Sequence, residues 1–178
     1  MALLTSLYLC SRTVYAAVGT PTGSGARVVA AAQTELPEGC LINGVITNEA
    51  DLTAALKEFF TANKLPMNRV ALIAGGSQFM HRILTLPAMS EKKRMAVLSH
   101  ELASGGAEVK APLDDYMLLS RDAKTRVDTV LATRVEQSVI AGYDALAKAV
   151  GFKLYSIDLG LAAPIKACLL YTSPSPRD

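Results

Sequence analysis

The sequence predicts an α/β chain of the α+β kind, with mixed sheets, and three observations carry that prediction. Segments with apolar residues at helical spacing alternate with pairs of short strand-like segments. Glycine, proline and asparagine turns bound those strands. Leu, Ile, Val and Phe make up about 27% of the 178 residues, above the ~20% below which chains stay disordered, so a packed core is expected.

Taken in order, residues 3–10 and 13–18 read as two strands joined at Ser11 and Arg12. In the second, Val14, Ala16 and Val18 alternate, as a half-buried strand requires. Residues 19–25 hold three glycines and a proline and read as a turn, and residues 27–36 as a third strand. Pro37, Glu38 and Gly39 turn the chain into a short hairpin over residues 41–46, bent at Asn43-Gly44. That dipeptide tolerates the positive φ of a tight hairpin turn. All these strands are expected to form one meander.

A helix is expected from about 48 to 63, capped by Thr47 or Asn48, with Glu49 and Asp51 at its positive end. Leu52, Leu56, Phe59 and Phe60 share its apolar face, and Pro66 is expected to stop it. Residues 69–74 form a continuous apolar strand ended by Gly75-Gly76, and residues 78–86 another, ended by Pro87. Ser90 caps a helix to about 104 with Met95, Leu98 and Leu102 as its stripe, and Gly105-Gly106 break it. Residues 115–120 and 126–133 pair around a polar bend. A helix over 135–150 buries Val135, Val139, Tyr143, Leu146 and Val150, with Gly151 as its C′ residue. Residues 152–159 are the last strand.

Composition narrows the function classes. A net charge of +2 is too small for a nucleic-acid binder or a polybasic membrane anchor. No apolar run approaches the ~18 residues that span a bilayer. The apolar N-terminus has no preceding Lys or Arg, so it reads as a buried strand and not as a secretory signal. Cys10, Cys40 and Cys168 form an odd set without CxxC, which points to reduced thiols in a cytoplasmic protein. His81 and His100 lack ligand-spaced partners, so no metal site is expected. The last eleven residues, 168–178, switch to Ser and Pro and resemble one reading frame of a transposase-type sequencing-library adapter. They read as an adapter artefact and not as part of the fold.

The glycine-rich stretch at 19–25 is followed by a strand and by no Gly-Lys-Ser/Thr, so it reads as a hairpin tip and not a phosphate loop. Gly75-Gly76-Ser77 lacks the G-x-S-x-G of a nucleophile elbow and reads as a tight turn between strands. Asp114 and Asp115 point to opposite faces of a strand and read as a solvated edge. Lys92-Lys93-Arg94 reads as the wet side of an amphipathic helix. No catalytic residue emerges.

One ordered set of motifs carries more. Leu36-Pro-Glu-Gly39, residues 41–46, a helix, residues 68–73, Gly76-Ser-Gln78, Arg82 and Leu86-Pro-Ala-Met-Ser-Glu91 occur in this order. Residues 143–152 and 158–162 continue the pattern. The set resembles the PilM family of actin-like type IV pilus assembly proteins, over nearly all of residues 1–167. FtsA, the division protein of the same general architecture, is the nearest relative to consider. The resemblance implies a partial actin-like ATPase-type fold with a small inserted SHS2-type subdomain. Residues 1–46 would begin the first lobe, 47–133 would be the inserted interaction subdomain, and 134–167 would return to the lobe, truncated. It also implies a pilus assembly scaffold, cytoplasmic and peripheral at the inner membrane, that binds the N-terminal peptide of a PilN-like membrane protein. Such peptides dock with side chains in pockets and backbone hydrogen bonds.

The family's first phosphate hairpin resembles Asp-x-Gly-Ser-x-x-x-Lys, and residues 8–15 match its positions. Here Tyr8 stands for the Asp, Cys10 for the Gly and Tyr15 for the Lys. Ser11, and loosely Thr13, are the phosphate-binding positions that survive; Arg12 is a cation at a different place on the hairpin. The resemblance implies ATP with Mg as the full-length protein's cofactor, while the hairpin argues against hydrolysis. An actin-like ATP-binding protein whose nucleotide state switches assembly is the alternative reading.

Overall fold

The computed structural model describes residues 3–22, 25–104 and 109–162. In chain order the elements are β1 (Leu4–Leu9), β2 (Thr13–Thr22), β3 (Gly25–Glu35), β4 (Leu41–Ile42), β5 (Val45–Ile46), α1 (Glu49–Ala62), β6 (Val70–Ala74) and β7 (Met80–Pro87). There follow α2 (Glu91–Ala103), β8 (Pro112–Asp122), β9 (Val127–Glu136), α3 (Gln137–Val150) and β10 (Leu154–Leu159). The mixed α/β class expected from the pattern is what these elements form. No described helix is long and apolar enough to cross a membrane.

Two compact units divide the chain: Met1–Gly76 with Ile140–Asp178, and Ser77–Val139. The expected boundaries at 46/47 and 133/134 differ from this division. The cause is β6, which pairs in parallel with β1 and β10 and so belongs, with α1, to the first unit.

The first unit is built on a five-stranded sheet of order β10-β6-β1-β2-β3. β1, β2 and β3 form the expected meander, but β4 and β5 stand apart as a two-stranded sheet. Gly19–Thr22 continue β2 and Gly25 opens β3, so these residues are not a turn; residues 23–24 lie outside the described residues. Gly19 is in the strand because a Cβ there would lie 2.5 Å from the Arg27 carbonyl oxygen, beside a register shift in the β2–β3 pairing. Register sets two different faces. Leu7, Leu9, Val14, Ala16, Val18, Val70, Leu72 and Ala74 fall on one face and are buried. Leu52, Leu56, Phe59 and Phe60 of α1 and Tyr143, Leu146, Ala147 and Val150 of α3 are the buried helix residues of this unit. Phe60 stacks on Phe152 at 5.6 Å between ring centroids.

Local signals account for the helix ends. Asn48 caps α1 by accepting from the Asp51 N–H at 3.1 Å. The helix ends at Ala62, before Pro66 acts, with Asn63 as C-cap and Lys64 at φ 50°. After α3, Gly151 at φ 99° lets both its own N–H and that of Phe152 reach the Ala147 carbonyl. Val135 is buried, but as part of β9 and not of α3.

The second unit pairs β7, β9 and β8, in that order, with α2 packed on one face. Leu86, Leu98, Leu102, Val130 and Ala132 form its core, with Leu84, Met89, Met95 and Tyr116 against it. Two sequence expectations are corrected here. Arg94 does not lie on the wet side of α2; it is 6% exposed and bound to the buried Asp128. Asp114 is not a solvated edge residue; its carboxylate takes two bonds from the buried Arg134, at 2.7 and 2.8 Å. Both arginines occupy positions where helical or strand periodicity points inward, and the opposite charge on β8 or β9 makes that burial tolerable. Ser90 precedes α2 as expected, without a side-chain cap bond. The break at 105–106 and the tail at 168–178 lie outside the described residues.

Candidate functional site

The face of the five-stranded sheet opposite the buried one is where the sequence-marked residues of the first unit meet. Paired positions across the strands place Asp158, Ile73, Tyr8, Tyr15 and Gln33 in one row. The adjacent row is Ser156, Ala71, Ser6, Ala17 and Ala31. Small residues in the second row and large ones in the first leave an apolar trough of about 560 Å³, lined by Ser6, Tyr8, Tyr15, Ala17, Ala31, Gln33 and Ile73 among others. Tyr8 and Tyr15 stack at 6.3 Å with 26° between their planes.

The β1–β2 hairpin closes at one end of these rows. The Cys10 N–H donates to the Thr13 carbonyl at 2.9 Å, so Ser11 and Arg12 are the two loop residues. The Arg12 carbonyl in turn accepts from the Leu36 N–H at 2.9 Å, which ties the chain leaving β3 to the loop. Ser11 is exposed and Thr13 half-buried. The Arg12 guanidinium faces Glu38 at 3.6 Å, both side chains being largely in solvent.

Tyr8 turns its ring toward the end of β10. A Cβ at Gly160 would stand 3.3 Å from the Tyr8 ring and 3.5 Å from its hydroxyl. Gly160 is held there by its N–H, which donates to the Ala74 carbonyl at 2.7 Å. Cys10, as hydrogen-bond partner and as a charge when ionised, raises the Tyr8 phenol above its ordinary pKa, and burial adds to this. The fold therefore brings residues 8–15 together with Asp158 and Gly160, which are far apart in sequence. Periodicity could not reveal this neighbourhood, because it depends on β1, β6 and β10 being parallel neighbours.

Other sequence candidates are placed elsewhere. In the second unit, His81 Nδ1 lies 3.0 Å from the Thr133 hydroxyl, and burial lowers its pKa. His100 is exposed in the last turn of α2. Cys40 is buried and Cys10 half-buried, both as free thiols. Among the described residues no group of three or more His, Cys, Asp or Glu side chains could hold a metal ion.

The sequence matches no family model and no curated protein. The fold does have a counterpart. A solved structure described as a PilM-PilN type IV pilus biogenesis complex matches 94% of this chain with a TM-score of 0.79 and 17% sequence identity. The chain spans about half of that structure's chain, 51%. The likeness is one of fold.

Proposed function

We propose that this chain is part of an actin-like, PilM-like adaptor in type IV pilus assembly, working as a scaffold and not as an ATPase. The observation that carries the reading is the fold correspondence over 94% of the chain. The ordered motifs between Leu36 and Glu91 support the same reading. The partner would be a PilN-like inner-membrane protein, whose cytoplasmic N-terminal peptide the adaptor holds. The adaptor itself would sit at the cytoplasmic side of that membrane. In this reading the second unit, Ser77–Val139, is the inserted SHS2-type interaction subdomain.

The hairpin residues do not fit ATP with Mg. A phenol at Tyr8 offers no carboxylate to hold a metal-bound water, and its ring lies against Gly160. Cys10 carries a side chain where backbone would have to approach a phosphate closely, and Tyr15 is stacked on Tyr8 where a lysine would have to reach out. Ser11 and Thr13 supply hydroxyls, and the hairpin cation between them, Arg12, faces Glu38 in solvent.

Calorimetry tests the proposal, with the N-terminal peptide of a PilN-like protein from the same genome and, separately, Mg-ATP. The expected result is peptide binding and no heat from Mg-ATP. Micromolar Mg-ATP binding that Tyr8→Asp leaves unchanged would overturn the reading of the hairpin and favour a nucleotide switch. Gene neighbours separate the pilus role from an FtsA-like division role: a downstream PilN- and PilO-like pair is expected.

A further inference from the structure

The five-stranded sheet ends in β10 on one side and β3 on the other, and β3 is much the longer, with 11 residues against 6. Among the described residues, β2 pairs with one side of β3 and no strand pairs with the other. The bond from the Leu36 N–H to the Arg12 carbonyl fixes which backbone groups lie on that open side. Hydrogen-bonded positions alternate along an antiparallel ladder, so Thr34, Ala32 and Ala30 turn theirs to β2, opposite Val14, Ala16 and Val18. Ala31, Gln33 and Glu35 turn their N–H and C=O groups outward. The register shift between Val18 and Gly19 leaves Val29 as the extra residue, so residues 30–35 are the regular run.

The chemistry of this edge sets it apart. An open ladder recruits another strand, and exposed edges are normally blunted by charge, proline or brevity. The edges of the second unit follow that rule. β7 holds His81 and Arg82 and ends at Pro87, while β8 starts at Pro112 and holds Asp114, Asp115, Arg121 and Asp122. Residues 28–34 of β3 hold no charge, proline or glycine. Val28 is 59% exposed and Val29 57%. An uncharged, proline-free strand segment of this length, open at an edge, is suited to pairing with its own copy. Charge stands only at its ends, in Arg27 and Glu35, and it selects the orientation. Two β3 strands side by side in parallel would set Arg27 against Arg27 and Glu35 against Glu35. Antiparallel, the Arg27 end of one meets the Glu35 end of the other.

We propose that β3 is a self-association edge: it pairs antiparallel with β3 of a second copy of this chain, about a two-fold axis at Ala32, and joins two sheets into one. In this register Ala31 faces Gln33 of the second copy and Gln33 faces its Ala31, and the outward groups of both pairs exchange backbone bonds. Ala30 faces Thr34 of the second copy, and Glu35 faces its Val29, two residues from its Arg27. The pairing stays within the regular run and ends at the bulge. The two-fold uses up both edges, so assembly stops at two copies. The inference does not depend on the pilus reading.

Sedimentation velocity over a concentration series of the whole chain, with amide hydrogen exchange at 31, 33 and 35, tests the pairing. A concentration-dependent dimer is expected, with these amides protected only where the dimer forms. Two double variants test the register, and both change positions exposed in the single chain. Ala31→Lys with Gln33→Lys sets like charges against each other in both facing pairs, and is expected to weaken dimerisation about tenfold or more. Ala31→Glu with Gln33→Lys sets opposite charges there, and is expected to dimerise at least as well as the parent chain. A parent chain that stays monomeric throughout the series overturns the proposal, as does a dimer whose amides at 31, 33 and 35 exchange freely. Protection of these amides in the monomer overturns it too, because another segment of the chain then covers the edge. So does protection that appears only when a PilN-like peptide is added. Equal weakening by the two double variants overturns the antiparallel register. If either variant does not fold by circular dichroism, the exchange pattern of the parent chain decides alone.

Discussion

The two units are held together by different chemistry. In the first, the buried residues are almost all apolar, and the ion pairs Arg12–Glu38 and Lys148–Asp144, the latter one helical turn apart, are on the surface. Exposed pairs of this kind contribute ~0–1 kcal/mol. In the second, the helix is bolted to the sheet by buried charge. Arg94 reaches Asp128 at 2.5 Å, the Tyr116 hydroxyl and the Met89 carbonyl, while Arg134 grips Asp114 and the Ser99 carbonyl of α2. A three-stranded sheet with one helix has little apolar area to bury, so polar contacts fix where α2 sits. The lesson is that one chain can contain a unit sensitive to volume and a unit sensitive to charge.

Arg94→Ala should break that comparison most severely. It removes the buried partner of the Asp128 carboxylate, and because the exposed Arg121 keeps two bonds to that group the cost should fall below the ~3–5 kcal/mol of a wholly unpaired buried charge. Hydrogen exchange resolved by unit is the measurement. Protection should fall across β7, α2, β8 and β9 and stay unchanged in β1, β2 and β6. Equal loss in both units would mean that the charge network stabilises the chain as a whole.

Opposite ends of the pH scale should attack opposite units. Burial pushes the Tyr143 phenol up to about 12, against 10.0 in an unfolded chain. The folded state therefore holds its proton more tightly, and the stability this gives is complete below pH 10 and is lost as pH rises toward 12. At 1.36 kcal/mol per unit it amounts to roughly 2–3 kcal/mol in the first unit. In the second unit the signs reverse. The Arg134 side chain holds Asp114 below its ordinary value of 3.8, and Arg121 and then Arg94 do the same for Asp128. Stability from these carboxylates is present above about pH 4 and is lost as pH falls through the lowered values. Acid titration followed by unit-resolved exchange should open the second unit first, and alkali the first.

Much of the architecture was readable because local chemistry agreed with it. Asn43-Gly44, the Asn48 cap, the Leu52-Leu56-Phe59-Phe60 stripe and Gly151 each announce an element by a short-range physical rule. The misreadings share one cause, which is contact with residues distant in sequence. Gly19 looks like a turn residue until the Arg27 carbonyl is brought against it. Arg94 looks solvated until Asp128, 34 positions away, is brought under it. The candidate site was half readable. Residues 8–15 could be compared with a phosphate hairpin by spacing alone, but the row from Asp158 to Gln33 needs the register of four strand pairs, which no window of sequence contains.

The smallest effect should come from Arg121→Ala, and it sharpens the comparison inside the charged unit. Arg121 makes two bonds to Asp128, at 2.7 and 3.0 Å, yet its side chain is 57% exposed. Water already screens it, and Arg94 remains beneath the carboxylate when it is removed. Thermal stability at neutral pH should change far less than in Arg94→Ala, and the change should shrink further in high salt. The direction of one shift is nevertheless firm: with a cation gone, Asp128 binds its proton more readily, so the acid opening of the second unit moves to higher pH. Carboxyl ¹³C titration of Asp128 reads that shift directly. If it stays put while neutral stability falls as far as in the Arg94 variant, Arg121 acts by packing over the edge of β8 and not by its charge.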